Sequence, residues 1–219
     1  ARILRDVKLS ANRGMIIDRN GEPLAVSTPV DTVWADPRKL AQHPQEFARL
    51  AKALDRDKNW LARRVTSNLD REFVYLVRHM RPADAAKVKA LGISGVDTLR
   101  EYRRYYPAGE VTGHLLGFTN VDDVGQEGLE LAFDQWLGGE PGIKRVMRDR
   151  EGRTIEDIER IKAPRPGQDL RTSIDLRVQY LAYRALKQAV QENSAHGGSV
   201  VVLDIQTGEV LAMVNQPAF

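Results

Sequence analysis

Residues 103–142 read RRYYPAGEVTGHLLGFTNVDDVGQEGLELAFDQWLGGEPG, and glycine is denser in this stretch than in the rest of the chain. Glycine at such positions indicates a backbone that passes through positive φ or approaches another segment closely. The stretch contains no nucleophile motif, no set of metal ligands and no phosphate-binding loop. We therefore predict that it braces the fold and does not carry chemistry itself.

The composition of the 219 residues is that of a globular protein with one large domain or two small ones. Hydrophobic residues make up 42% of the chain and charged residues 29%. The net charge is only +3, from 33 basic and 30 acidic residues, so we predict no nucleic-acid partner. The absence of cysteine excludes disulfides, thiolate zinc sites and cysteine nucleophiles.

The two ends of the sequence suggest a part of a longer protein. The chain starts at Ala1 without an initiator methionine, and it stops at Phe219 directly after a strand-like run. No apolar run approaches the roughly 18–20 residues needed to cross a bilayer. We expect further residues on both sides in the natural protein.

The first half of the chain predicts alternating strands and helices. The alternation through residues 13–35, around the turn Asp18-Arg-Asn-Gly21, predicts a β-hairpin. Asp36-Pro37 then opens a helical region that extends to about residue 68. Beyond it the pattern predicts a strand, a helix and a strand at residues 73–78, 83–91 and 96–106.

The second half predicts one amphipathic helix over residues 127–137 and an exposed β-ribbon over 143–161. Residues 162–167 contain two prolines and a glycine, and we place a domain boundary there. Asp175 can cap a helix that ends near Asn193. Strands at 199–205 and 209–215 follow, and the first is apolar on both faces, as in the centre of a larger sheet.

Three motifs stand in order along the chain. Their defining residues are Arg13, Gly14, Asp18, Arg19 and Gly21 in the first, Arg104, Tyr106, Pro107 and Gly109 in the second, and Gly125, Gly128, Glu130, Gly139 and Gly142 in the third. In this order they resemble the non-catalytic module of class B penicillin-binding proteins, which are membrane-anchored peptidoglycan transpeptidases. The closest resemblance is to the division-specific (septal) type of Gram-negative bacteria.

The resemblance implies an α+β fold in two parts. Residues 1–165 would form the pedestal domain that carries a catalytic domain away from the membrane. Residues 166–219 would supply the first helix and β-hairpin of a transpeptidase domain, which is then incomplete. The resemblance also assigns five charged residues, Arg13, Asp18, Arg19, Arg104 and Glu130, to holding the segments of the pedestal together.

The residue types fit that role, because the planar guanidinium fork of arginine suits carboxylates and backbone carbonyls. The alternative, without the motif context, is that Arg13 and Arg104 are ordinary surface charges.

The chemistry of the family resembles serine acyl transfer, in which the serine of an S-x-x-K motif attacks a peptide carbonyl. None of the seven serines in this sequence has lysine three residues later, and no K-[ST]-G occurs. The resemblance therefore implies a nucleophile beyond Phe219 and an inactive chain on its own. We predict no catalytic, cofactor or metal site. A calcium loop starting at Asn120 is disfavoured, because Val124 and Leu131 occupy its fifth and twelfth positions.

The function implied by the resemblance is positional. The fragment would orient a septal D,D-transpeptidase at the periplasmic side of the inner membrane and dock membrane proteins of the division machinery. Stem peptides and β-lactams would bind only to the missing catalytic domain, and the membrane would be reached through an N-terminal anchor absent from this chain. Two alternatives stay open: a non-catalytic scaffold or interaction module, and an elongation-type protein of the same class.

Overall fold

The computed structural model describes residues 3–148 and 154–218. Helices and strands are interspersed along the chain, so the fold class is α+β, as predicted. The strands are β1 Ile3–Leu9, β2 Ile16–Ile17, β3 Pro23–Ala35, β4 Val74–Met80, β5 Val96–Tyr105, β6 Gly142–Arg148, β7 Thr154–Lys162, β8 Leu170–Arg171, β9 Gly198–Leu203 and β10 Val210–Gln216. The helices are α1 Pro37–Leu40, α2 Phe47–Ala53, α3 Lys58–Thr66, α4 Pro82–Ala90, α5 Gly113–Leu116, α6 Gly128–Ala132, α7 Asp134–Leu137 and α8 Leu176–Glu192.

The chain divides into two compact units, and each unit is assembled from separated segments. The first unit comprises residues 1–10, 29–103 and 141–164. The second comprises residues 11–28, 104–140 and 165–219. The chain passes from the first unit to the second for the last time between Pro164 and Arg165, close to the predicted domain boundary. The continuous division into residues 1–165 and 166–219 stays a prediction.

The first unit is built on an apolar core between strands and helices. The end of β3 pairs antiparallel with β4, and β5 also pairs with β3. Helices α1–α4 cover this sheet and bury apolar side chains such as Leu50 and Leu61, which are fully inaccessible to solvent. Asp36 and Asp57 cap α1 and α3 by accepting backbone N–H groups in the first turn. A second antiparallel sheet has the order β1-β6-β7.

The second unit combines short strands with the longest helix of the described residues. The beginning of β3 pairs antiparallel with β2, and β2 pairs in parallel with β8. Helix α8 packs on the hairpin of β9 and β10, and Asp175 accepts the N–H of Arg177 as its cap. Its apolar clusters are small, with Ile16, Leu116 and Leu137 in one and Tyr183 in another.

Most predicted elements are confirmed within a few residues of their predicted ends. They include the hairpin around Gly21, which has φ of 88°, and the hairpin around Gly208. Two strands, β1 and β8, were not predicted. Both pair with segments more than a hundred residues away in sequence, which a local pattern does not show. The turn of the predicted 143–161 ribbon, residues 149–153, lies outside the described residues.

The prediction of one helix over residues 127–137 is wrong, because the chain forms α6 and α7 with a break at Phe133. Phe133 has φ of −114° and ψ of 24°, outside the helical range. In a continuous helix the carbonyl of Glu130 would accept the N–H of residue 134. Here that carbonyl accepts a hydrogen bond from Nη2 of Arg13 at 2.9 Å. A contact with a distant residue is therefore made by a carbonyl that would serve the helix.

Candidate functional site: a buried arginine brace

Glu130 lies at the centre of a charged cluster inside the second unit. Its side chain is fully buried, and both carboxylate oxygens accept hydrogen bonds from arginine. Oε2 accepts Nε of Arg13 at 2.8 Å, and Oε1 accepts Nε of Arg104 at 2.6 Å. The hydroxyl of Tyr106 donates to Oε1 at 3.3 Å. We call Arg13, Arg104, Tyr106, Glu130 and Asp134 the arginine brace.

Arg13 contacts three other parts of the chain, although only 2% of it is exposed. Besides Nε on Glu130, its Nη1 donates to Oδ1 of Asp134 at 2.7 Å and to the carbonyl of Asp123 at 3.0 Å. Burial lowers the pKa of Arg13, but the charges of Glu130 and Asp134 outweigh burial and leave it above its ordinary value. Arg13 therefore stays fully ionised, and its donors are shared among α6, α7 and the loop before them.

Arg104 attaches the end of β5 to the same carboxylate. Its Nη1 also donates to the hydroxyl oxygen of Ser27 on β3 at 3.0 Å. Two residues later, burial and then the negative charge of Glu130 raise the pKa of the Tyr106 hydroxyl. Tyr106 is thus a neutral donor at any physiological pH, and its hydroxyl adds to the arginine donors around Glu130.

Two glycines let the backbone come close enough for these contacts. A Cβ atom on Gly125 would lie 2.1 Å from the carbonyl oxygen of Glu130, far inside contact distance. A Cβ atom on Gly128 would lie 2.6 Å from the backbone N of Gly117. Gly125 also donates its N–H to Oδ1 of Asp134 at 2.8 Å, which orients that carboxylate toward Arg13.

Asp18 and Arg19 lie apart from the arginine brace and contact other partners. Asp18 is 1% exposed; its Oδ1 accepts the N–H groups of Asn20 and Glu22, and its Oδ2 accepts the N–H of Leu176. Asp18 therefore shapes the first hairpin and ties it to the start of α8. Arg19 is more than a third exposed and makes a 3.5 Å ion pair with Glu209.

The remaining motif residues form turns and close backbone contacts. Pro107 lies inside a turn in which the N–H of Gly109 donates to the carbonyl of Tyr106 at 3.0 Å. The N–H of Gly14 donates to the carbonyl of Leu137 at 2.8 Å. Gly139 and Gly142 pass within close contact of the segment around Pro164–Pro166, each in its own unit.

Sequence reasoning missed three members of this region. Asp134 lies one helical turn after Glu130, and that spacing of two acids was the available signal. Asp123 contributes its backbone carbonyl to Arg13, and a backbone contact of this kind does not depend on the residue type. Gln179 on α8 is 1% exposed; it donates to the carbonyls of Val111 and Met213 and accepts the N–H of Met213, so it links α8 to β10.

The arrangement is suited to holding chain segments together and not to catalysing a reaction. Every charged group of the arginine brace is engaged by a partner of opposite charge or a backbone group. Among residues 3–148 and 154–218 no group of three or more histidine, aspartate or glutamate side chains could hold a metal ion. A groove of about 950 Å³ beside α8 has a mixed lining, with the polar residues Asp18, Asn20 and Glu22 beside Tyr180 and Leu181. Arg177, which also lines it, already pairs with Asp175.

No helix in the described part of the chain combines the length and apolar character of a membrane span.

Comparison with known proteins places these features in a family. Residues 8–172 match the family described as the penicillin-binding protein dimerisation domain. The chain is 45% identical over 218 residues to the probable peptidoglycan D,D-transpeptidase PbpC of Pseudomonas aeruginosa, and 46% identical over 223 residues to the peptidoglycan D,D-transpeptidase FtsI of Escherichia coli K12. Both alignments cover 100% of this chain but only 39% and 38% of the relatives.

Solved structures share the fold at lower sequence identity. Penicillin Binding Protein 2X of Streptococcus thermophilus has a TM-score of 0.69 at 21% identity, over 98% of this chain and 36% of that one. The penicillin-binding protein PBP2 of Helicobacter pylori, solved in complex with MreC, has a TM-score of 0.71 at 22% identity, over 99% and 43%. With the family match covering most of the sequence, the chain belongs to the penicillin-binding proteins, as a member of the dimerisation-domain family.

Proposed function

We propose that this chain is the N-terminal, non-catalytic part of a peptidoglycan D,D-transpeptidase that cross-links the septal cell wall. The names of the relatives support the parent activity, and the share of their length that the chain spans supports the partial nature of the fragment. The 219 residues contain no S-x-x-K motif, so the acylating serine belongs to the rest of the parent protein.

The fragment itself has a positional role in this proposal. The observation that carries it is the arginine brace, which joins residues 117 positions apart in sequence through a fully buried carboxylate. Removing one partner of such a buried group leaves its charged neighbours uncompensated. The ionic contacts therefore hold separated segments in one arrangement, as a rigid support for a catalytic domain requires.

The proposed setting is the periplasmic side of the bacterial inner membrane at the division septum, with membrane proteins of the division machinery as partners. The relatives named FtsI favour the septal type. The H. pylori fold relative in complex with MreC gives a precedent for a protein partner in this superfamily. Depletion of the parent protein separates the types: filamentous cells support the septal assignment, and rounded cells support an elongation-type protein.

Labelling with a fluorescent penicillin tests the enzymatic part. The 219-residue chain and the full-length parent are incubated with the probe and compared after denaturing electrophoresis. Labelling of the full-length protein alone supports the proposal. If neither protein is labelled, the transpeptidase assignment fails and the non-catalytic scaffold becomes the better reading. Labelling of the short chain would mean that its own residues include an acylating nucleophile.

A further inference from the structure

The loop before α6 contains a carboxyl group that the arginine brace leaves unused. Asp123 adopts a left-handed conformation with φ of 63°, and its carbonyl accepts Nη1 of Arg13. Its carboxyl oxygen Oδ1 is buried and accepts no hydrogen bond from any described residue. A buried carboxylate oxygen without a donor is costly, so this side chain needs a separate explanation.

The charges around Asp123 are already balanced without it. The charged groups that act electrostatically on its carboxyl are Arg13 ahead of β2, Arg104 at the end of β5, Glu130 on α6 and Asp134 on α7. The two guanidinium groups bond to the two carboxylates of Glu130 and Asp134. An ionised Asp123 would add a third negative charge to a neutral set, so the neutral acid is the form that fits this site.

We propose that Asp123 makes the arginine brace acid-stabilised, so that residues 118–126 are held against Arg13 when Asp123 is protonated and loosen when it ionises. Burial raises the pKa of Asp123 to about 6, and the nearby Arg13 and Arg104 charges only partly offset burial. Because this pKa lies above the ordinary value of 3.8, the stabilisation is fully present below pH 3.8. It is lost as the pH rises through about 6. This acid dependence is a property of the folded segment and is independent of the reaction that the parent protein performs.

The substitution Asp123→Asn tests the inference, because asparagine has the same shape, cannot ionise and tolerates left-handed backbone well. The equilibrium constant for urea unfolding is measured for both proteins from pH 4 to pH 8. Relative to the variant, the unfolding constant of the natural chain should rise about ten- to a hundredfold across this range, which a pKa shift of this size allows. Contributions from other titrating groups cancel in the comparison.

Asp55→Asn is the matched control. Asp55 also has positive φ, at 53°, but it is exposed and belongs to the first unit. Its substitution reproduces the change from aspartate to asparagine at a left-handed position without touching the arginine brace. A pH-dependent gain in this control as large as that of Asp123→Asn would overturn the inference.

Hydrogen exchange places the effect in the loop. In the natural chain, amides of residues 118–126 should be protected at pH 5 and lose protection at pH 7, after correction for the intrinsic exchange rate. In Asp123→Asn they should stay protected at both. Parallel unfolding curves, or protection independent of pH in the natural chain, would overturn the inference. If the variant does not fold, carboxyl ¹³C NMR of the natural chain decides: a titration midpoint near 6 supports the inference, and one near 4 contradicts it.

Discussion

The two units of this chain are stabilised in different ways. The first buries a continuous apolar cluster between its sheet and helices α1–α4. The second has smaller apolar clusters and buries Arg13, Arg104 and Glu130 instead. Apolar burial is non-directional and spread over many side chains. Ionic contacts are directional and depend on each partner, so the second unit should be the more sensitive to a single substitution.

Glu130→Gln should produce the largest loss of folding stability, and it should destabilise the second unit selectively. The amide keeps the volume but leaves Arg104 buried without a counter-charge and Arg13 with Asp134 as its only acidic partner in the brace. Loss of one partner of a buried pair costs about 3–5 kcal/mol. Urea unfolding measures the loss, and hydrogen exchange should show it in residues 104–140 before residues 47–66. Glu127→Gln, an exposed change three residues earlier, is the control and should be nearly neutral. Equal stability of the two variants would show that the arginine brace does not stabilise the second unit.

Leu61→Ala tests the first unit with a substitution of comparable burial. Leu61 is fully buried on α3, and truncation of such a leucine costs about 2–5 kcal/mol, depending on how far the cavity collapses. Urea unfolding and hydrogen exchange again measure the loss of stability and its location. We expect faster exchange in residues 47–66 and little change in residues 104–140. The contrast between the units fails if this variant loosens residues 104–140 as much as Glu130→Gln does.

Gly125→Ala tests whether close approach of backbone segments stabilises the second unit. The added methyl would lie 2.1 Å from the carbonyl of Glu130, a backbone atom, so the loop must shift. Overpacking of this kind costs about 1–3 kcal/mol.

Gly109→Ala supplies the matched variant, since Gly109 has φ of 53° and open space around it. It should lose only the cost of left-handed backbone, about 1–2 kcal/mol. Thermal denaturation of both variants measures whether Gly125→Ala loses more stability than Gly109→Ala, as we expect. A larger loss for Gly109→Ala would show that conformation matters more than contact at these glycines.

The sequence predicted the local structure well and part of the site. The Asn-Gly turn, the Asp-capped helices and the amphipathic pattern of α8 depend on contacts within a few residues, so they can be read directly. The motif resemblance singled out Arg13, Arg104 and Glu130, which the structure brings together. It grouped Asp18 and Arg19 with them, and the structure places these two elsewhere, at the start of α8 and on the surface.

Other features were decided only by the tertiary structure. At the break of the helix beside Phe133, the carbonyl of Glu130 accepts a hydrogen bond from Arg13, more than a hundred residues away. The interleaving of the two units, the strands β1 and β8, and the leftover carboxyl of Asp123 likewise arise from long-range pairing. Local propensity acts over one or two turns of backbone, whereas charge balance and burial depend on which distant segments meet. The sequence by itself therefore determined most of the local elements, the family and the lack of an S-x-x-K motif in these 219 residues. Only the folded chain decided the long-range strands and which charges share a site.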